Sequence, residues 1–224
     1  MRVGVIQFPG TNCEYDARWA FEKLGATSEV LWHTADEIPS NIDLVVVAGG
    51  FSYGDYLRSG AIAKFSPVMK GLKDYATKGG KVLGICNGFQ ILTEARMLPG
   101  ALMRNSGLHF ISKHQHLKVI DNNNIFLSEL NVGDIVNIPI AHQEGNYYID
   151  ESGLKELYDN NQVLLKYCDK DGNEDNPNGS IDSIAGICNK ERNVFGLMPH
   201  PERAMEKILG SDDGVKMLEG FFKA

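Results

Sequence analysis

The chain has 224 residues, of which 43% are hydrophobic, and its net charge is −7 with an isoelectric point of about 5.4. This is enough apolar material for one sizeable core, so we expect a single domain over residues 1–224. The acidic balance, with no block of lysine or arginine, argues against nucleic acid or an anionic membrane as a partner. A small substrate or a protein partner is the expected kind of ligand.

The chain enters a strand pattern at Val3, which leaves no room for a secretion signal, and no apolar run approaches membrane-spanning length. Its four cysteines, Cys13, Cys86, Cys168 and Cys188, form no C-x-x-C pair and are too sparse for a disulfide scaffold. We therefore expect a cytoplasmic protein with reduced thiols.

Short β-branched runs alternate with helical patterns in the first half of the chain. Strands are predicted at residues 3–8, 29–32, 44–48 and 82–85. A first helix is predicted between them, with Asn12 as its capping residue and Gly25 as its end. This alternation is typical of a parallel sheet in an α/β protein.

The pattern changes after a helix predicted at 88–95. Period-two segments, which read as antiparallel strands, follow at 110–120, 135–141, 163–167 and 184–187. A loop rich in Asp, Asn and Gly is predicted at 169–179, a further strand at 194–198 and a terminal helix at 215–222. We therefore predict a mostly parallel central sheet, flanked by helices and extended by antiparallel strands.

The candidate nucleophile is Cys86, which lies where the strand at 82–85 ends and a helix begins. Gly84 and Gly88 flank it and remove the side chains that would crowd a sharp strand-to-helix turn. A helix N-terminus at this point favours negative charge and hence the thiolate. A buried structural cysteine is the alternative, and the G-x-C-x-G spacing favours the nucleophile elbow.

A cysteine nucleophile needs a base, and His200 is the candidate. Pro199 and Pro201 fix the backbone on both sides, which suits an imidazole held in one orientation. Glu202 can accept a hydrogen bond from the other ring nitrogen and stabilise the imidazolium. Together with Cys86 these residues predict a Cys-His-Glu triad.

An oxyanion hole is predicted where the buried strand at 44–48 runs into Gly49 and Gly50. Loops at the carboxyl ends of neighbouring parallel strands converge on one crevice, so this turn can approach Cys86. Its backbone N–H at Gly50 and that of Asn87 would then supply two donors to a tetrahedral oxyanion. A glycine turn that binds no ligand is the alternative.

Other kinds of site find less support. The chain has no phosphate-binding G-x-x-x-x-G-K-[ST] loop, so ATP chemistry on it is not expected. His109, His114 and His116 could suggest a metal site, but a solvated strand is favoured because no further ligands stand at metal-binding spacing. No metal and no cofactor are predicted on this chain.

The motif G-x-C-x-G-x-Q over 84–90, with a distant H-P-E over 200–202, resembles the class I, triad-type glutamine amidotransferases. Within that class, the sequence is similar to the glutaminase subunits of phosphoribosylformylglycinamidine synthases over nearly its whole length. The narrower similarity rests on Asn87 and on the segments 8–13, 49–58, 84–90, 176–180 and 198–203.

The resemblance implies the flavodoxin-like fold of this class and hydrolysis of L-glutamine by Cys86, His200 and Glu202. It implies that ammonia passes to a large ATP-dependent synthetase subunit, which converts formylglycinamide ribonucleotide to formylglycinamidine ribonucleotide in purine biosynthesis. A small accessory subunit is expected in the same complex, and ATP and Mg²⁺ are expected on the synthetase. The residues implied in glutamine binding are Gly49, Gln90, Asn105, Ser106 and His142.

The sequence departs from the family pattern at Gln143, where glycine is usual, and at His109 and Ser112, where lysine and cysteine are usual. These departures affect local detail near His142 and leave the triad intact. Two other functions stay open: a cysteine hydrolase of the intracellular peptidase type, and a non-catalytic module retained for binding. Gln90 and the Pro-His-Pro-Glu run argue against the first, and the complete triad argues against the second.

Overall fold

The computed structural model describes residues 1–223 and is built around one nine-stranded sheet with helices on its faces. The strands are β1 Arg2–Gln7, β2 Thr27–Trp32, β3 Leu44–Val47, β4 Lys81–Ile85, β5 Ala101–Met103, β6 Ile111–Val119, β7 Ile135–His142, β8 Asn146–Tyr148, β9 Val163–Cys168, β10 Ile184–Cys188 and β11 Val194–Leu197. The α-helices are α1 Glu14–Lys23, α2 Val68–Thr77, α3 Asn87–Glu94, α4 Glu151–Asp159 and α5 Asp213–Glu219.

The sheet order is β2-β1-β3-β4-β11-β10-β9-β6-β7, while β5 and β8 form a separate pair. The strands from β2 to β11 pair in parallel. The central strand β3 is covered on both faces, and it is accordingly an unbroken Leu-Val-Val-Val run with every residue buried.

The remaining strands pair antiparallel, from β11 through β10, β9 and β6 to β7. The predicted α/β fold with a parallel sheet and an antiparallel extension is confirmed. The extension is larger than the sequence suggested, since four pairings are antiparallel and four are parallel.

Helix α1 begins later than predicted. Its N-cap residue is Cys13, and no side chain caps it. The prediction that Asn12 caps the helix is therefore wrong: the Asn12 Oδ1 accepts a hydrogen bond from the Cys13 thiol instead. Gly25 has a φ of +94° and follows the last turn, as the sequence predicted.

Helix α4 and the β5–β8 pair were not assigned from the sequence, although a capping residue marks the start of α4. Asp150 caps it by accepting a hydrogen bond from the Gly153 backbone at 2.7 Å. All four cysteines are free and buried. Within residues 1–223, no helix has the length and apolar character that a bilayer crossing requires.

The fold brings three strand ends together. Val47 of β3 pairs with Gly84 of β4, and Ile85 of β4 pairs with Leu197 of β11. Because parallel strands end at the same edge of a sheet, the loops after β3, β4 and β11 meet there. These loops carry the Gly49–Gly50 turn, Cys86 and His200.

Candidate active site

Cys86 lies on a sharp turn between β4 and α3, with a φ of +51° and a ψ of −107°. A non-glycine residue with positive φ is strained, and such strain persists only where the surroundings impose it. Two features of the backbone around Cys86 impose this conformation. The Cys86 N–H donates to the Leu197 carbonyl at 2.8 Å, and a Cβ at Gly88 would lie 1.9 Å from the Val47 carbonyl oxygen. Helix α3 therefore lies directly on the sheet and fixes the thiol at its N-terminus.

His200 and Glu202 follow β11 and are almost completely buried. The His200 Nδ1 and the Glu202 Oε1 are 2.6 Å apart, a short hydrogen bond of the kind formed between charged groups. The His200 N–H donates to the Pro139 carbonyl of β7 at 2.8 Å, which holds the turn against the edge strand. Both the imidazole and the backbone of His200 are thus held in place.

The Nε2 of His200 is buried without a hydrogen-bond partner of normal length among the described residues, and Cys86 is the reactive group beside this ring. Burial alone would lower the pKa of His200, but the charges of Glu202 and Cys86 outweigh it and raise this pKa to about 10. An imidazolium beside Cys86 is therefore favoured at neutral pH, which is the proton donor that a leaving amine needs.

The predicted oxyanion donors lie on either side of the elbow. Gly50 has a φ of +123°, and a Cβ there would lie 2.5 Å from the Asn12 nitrogen, so only glycine fits. The Asn87 side chain accepts a hydrogen bond from the Ser52 N–H at 3.1 Å. It also donates to the Gln90 Oε1 at 2.9 Å, and so connects the Gly50 loop to helix α3. The oxyanion role of Gly50 and Asn87 remains a prediction.

A cavity of about 270 Å³ opens at these strand ends. Of the ten predicted site residues, five line it: Gly50, Cys86, Gln90, His142 and His200. Glu202 and Gly49 lie behind His200, where a Cβ at Gly49 would be 3.0 Å from the His200 ring. This volume is large enough for a small amino acid.

Asn105 and Ser106 do not line the cavity. Asn105 is fully buried, and its amide donates to the His142 carbonyl at 3.0 Å and accepts from the Gly145 N–H at 3.0 Å. Ser106 is exposed, and its N–H donates to the Asn178 carbonyl. In this structure Asn105 acts on the cavity through the 142–145 loop, and direct contact of either residue with substrate remains a prediction.

Sequence reasoning missed several cavity residues. Cys13 accepts a hydrogen bond from the Arg203 guanidinium at 3.1 Å, and Arg203 also donates to Asp16 at 2.9 Å. Burial raises the pKa of Cys13 to about 12, so this second thiol stays protonated at neutral pH. The position of Arg203, directly after Glu202 in the triad motif, is the only sequence signal that could have indicated it.

Two carboxyl groups, which the sequence did not indicate, stand on the opposite wall. Asp55 and Glu144 both line the cavity, and burial, with the charge of Glu144, raises the pKa of Asp55 to about 6. Glu144 accepts a hydrogen bond from the Ser59 N–H at 3.1 Å, and its backbone carbonyl accepts from Gln90 at 2.6 Å. Ionised carboxylates can bind an ammonium group, so these two side chains are candidates for contact with a charged amine.

The buried His142 should make the fold sensitive to mild acid. Burial and the nearby His200 lower the pKa of His142 to about 4, below the 6.5 of an ordinary histidine. Between these values the unfolded chain binds the extra proton, so stability is lost as the pH falls. We expect the unfolding free energy to drop by roughly 2 kcal/mol more in the native chain than in His142→Asn between about pH 7 and about pH 5. Urea unfolding of both proteins measures this, and equal losses would contradict it.

Comparisons with known proteins identify the family of this chain. The CobB/CobQ-like glutamine amidotransferase domain matches residues 1–214. The phosphoribosylformylglycinamidine synthase subunit PurQ of Sulfurimonas denitrificans is 77% identical over 224 residues, which is the whole of both chains. The PurQ subunit of Campylobacter jejuni is 57% identical over 99% of this chain and 96% of its own.

Solved structures give the same result. A chain in the structure of PurLQS from Thermotoga maritima is 39% identical, with a TM-score of 0.89 over 99% of this chain and 97% of that one. A glutamine amidotransferase from Thermotoga maritima, 16% identical with a TM-score of 0.60 over 100% of this chain and 99% of its own, shares the fold. The chain belongs to the glutamine amidotransferase family and, within it, to the PurQ subunits of phosphoribosylformylglycinamidine synthase.

Proposed function

We propose that this chain hydrolyses L-glutamine to glutamate and ammonia at Cys86 and supplies the ammonia to a separate ATP-dependent synthetase subunit. That subunit would use it to convert formylglycinamide ribonucleotide to formylglycinamidine ribonucleotide in purine biosynthesis, in the cytoplasm. The observation that carries the proposal is the buried His200–Glu202 pair beside Cys86 in a cavity of amino-acid size. No cofactor is assigned to this chain, and ATP and Mg²⁺ are assigned to the synthetase.

In the first half-reaction the Cys86 thiolate attacks the carboxamide carbon of glutamine. The carbonyl oxygen becomes an oxyanion, which the N–H groups of Gly50 and Asn87 stabilise. Protonated His200 delivers a proton from Nε2 to the amide nitrogen, the carbon–nitrogen bond breaks, and ammonia leaves. The product is a thioester between Cys86 and the glutamyl group.

The second half-reaction needs His200 as a base. Part of what raises the pKa of His200 is the charge of Cys86, and this charge disappears when the thioester forms. The imidazole is then easier to deprotonate, so His200 can take a proton from water as that water attacks the thioester. Hydrolysis returns glutamate and the free thiolate. Glu202 keeps the ring oriented in both steps.

The mouth of the cavity has the character of a protein interface. Phe51 and Phe110 line the cavity and are about half exposed, and Tyr56, Leu57 and Leu108 nearby are largely exposed. A cluster of exposed apolar side chains around a reactive cavity is typical of a docking surface. We assign this surface to the large synthetase subunit, since a partner seated here would receive ammonia away from bulk water. A small accessory subunit completes the complex.

A glutaminase that is always active would waste glutamine, so docking is expected to complete the site. The Gly49–Gly50 turn is the element we expect to change, because glycine allows a peptide to reorient at low cost. The test is steady-state ammonia release by the purified chain, alone and with both partner subunits and nucleotide. We expect a low rate alone and a clear increase in the complex; equal rates would refute the gating and leave the glutaminase assignment standing. A panel of peptides and esters of other amino acids should not be hydrolysed.

A further inference from the structure

His142 is held in one tautomer by its neighbours. The Asn105 amide nitrogen donates to the His109 and His142 carbonyls, at 2.9 and 3.0 Å, so the orientation of this amide is fixed. The Asn105 amide oxygen therefore faces the Gly145 N–H and the His142 ring. It accepts a hydrogen bond from the Gly145 N–H at 3.0 Å. The His142 Nδ1 lies 3.2 Å from the same oxygen. An oxygen accepts only from a protonated nitrogen, so Nδ1 carries the ring proton.

The other nitrogen, Nε2, is then a bare acceptor. His142 is 3% exposed, and its Nε2 is buried without a hydrogen-bond partner among the described residues. A Cβ at Gly145 would lie 2.4 Å from the Nδ1 and Cε1 atoms, so that edge of the ring is packed against backbone. His142 is one of the residues that line the cavity of Cys86 and His200. A buried acceptor without a partner costs free energy, which a donor on the bound ligand would recover.

The substrate has a donor that none of the roles assigned so far uses. The carboxamide of glutamine carries two N–H groups, and these become part of ammonia when the carbon–nitrogen bond breaks. Gly50 and Asn87 are assigned to the carbonyl oxygen, and protonated His200 is itself a donor. The nearby Ala141 carbonyl lies 3.7 Å from the Cys86 sulfur and faces the thiol. Asp55 and Glu144 are carboxyl groups, which suit the charged α-ammonium group.

We propose that the Nε2 of His142 accepts a hydrogen bond from the carboxamide N–H of glutamine and then from the released ammonia, and that it thereby selects amides over esters. The inference rests on the proposed glutaminase function and adds a specificity-determining residue to it. A neutral imidazole suits this position because it binds the N–H without holding the product as a tightly paired ammonium ion. An ester of the same glutamyl group has no N–H and gains nothing from this contact.

The test compares hydrolysis of L-glutamine with that of L-glutamate γ-methyl ester in the native chain and in His142→Asn, with the partner subunits present. Asparagine keeps a donor close to the position of Nδ1 and removes the acceptor at Nε2. We expect the amide-to-ester ratio of kcat/KM to fall about tenfold, the effect of one hydrogen bond. His116→Asn on β6 is the matched control and should keep the native ratio. A ratio that stays constant in His142→Asn, whether or not both rates fall, would overturn the proposal.

A second measurement does not depend on that variant folding. Nitrogen-15 NMR of the native chain reports the tautomer of His142, and we expect a protonated Nδ1 and a bare Nε2 from about pH 6 to about pH 8. A proton on Nε2 would overturn the proposal. Failure of the underlying function gives a different result: Cys86→Ala would still release ammonia from glutamine, whatever the ratio in His142→Asn.

Discussion

Replacing Cys86 with alanine is expected to abolish glutamine hydrolysis while the chain stays folded. The second thiol of the cavity, Cys13, cannot replace it, because burial raises the pKa of Cys13 to about 12 and keeps it protonated. The loss should be about 10⁶-fold in kcat, the size seen when a triad nucleophile is removed. Alanine, like cysteine, carries one Cβ, so the positive φ at residue 86 is no more strained in the variant. Ammonia release measures the loss of hydrolysis, and a urea unfolding curve shows whether the variant stays folded.

Cys13→Ala is the matched control, because it removes the other thiol of the same cavity. Cys13→Ala should hydrolyse glutamine at close to the native rate, because this substitution changes only the local packing. In the native chain, a chloroketone analogue of glutamine should alkylate Cys86 before Cys13, Cys168 or Cys188. Measurable turnover in Cys86→Ala, or first labelling of another cysteine by mass mapping, would contradict the assignment of the nucleophile.

The elbow could be predicted from the sequence because its cause is local. A thiol between a β-branched strand and a helix, with glycine on both sides, has few conformations that avoid a clash. The structure shows the reason at Gly88, where any side chain would meet the Val47 carbonyl at 1.9 Å. The pairing of His200 with Glu202 is local in the same way, since only Pro201 separates them along the chain.

The walls of the cavity could not be predicted in this way, because contacts between distant parts of the chain form them. Arg203 binds Asp16 and Cys13, which are 187 and 190 residues away in the sequence. Only the sheet order, with β1 and β11 on either side of β3 and β4, brings these segments to one edge. No periodicity in the sequence encodes that order.

The antiparallel half of the sheet explains the position of His142. Strand β7 is the edge of the sheet, five strands from β4 in the sheet order, yet its Pro139 carbonyl binds the His200 N–H at 2.8 Å. The antiparallel strands therefore curve back over the end of the parallel strands and close the cavity. A period-two pattern predicted the strand at 135–141. It did not predict that this strand would lie over the ends of the parallel strands. The family resemblance implied that His142 binds glutamine, but nothing in the sequence pattern showed how strand β7 brings this residue to the cavity.

Replacing Glu202 with glutamine is expected to lower turnover by about 10⁴-fold, the cost of changing the orienting acid in other triads. Glutamine keeps the shape of the side chain but removes the charge that stabilises the imidazolium of His200. It also puts an amide nitrogen where a buried carboxylate oxygen has no partner among the described residues. The pKa of His200 should therefore fall, since the charge of Glu202 is the largest of the causes that raise it. Ammonia release measures turnover, and the pH dependence of the residual rate reports the pKa change.

Covalent capture separates this effect from a loss of structure. Glu202→Gln leaves Cys86 and the oxyanion donors in place, so the chloroketone should still alkylate Cys86 while glutamine turnover is lost. Asp16→Asn is the matched control: it makes the same chemical change at a half-buried carboxyl group that binds Arg203 rather than His200. Its turnover should stay close to native. Native turnover in Glu202→Gln, or an equal loss in Asp16→Asn, would mean that the carboxylate beside His200 supports the turn and does not orient the base.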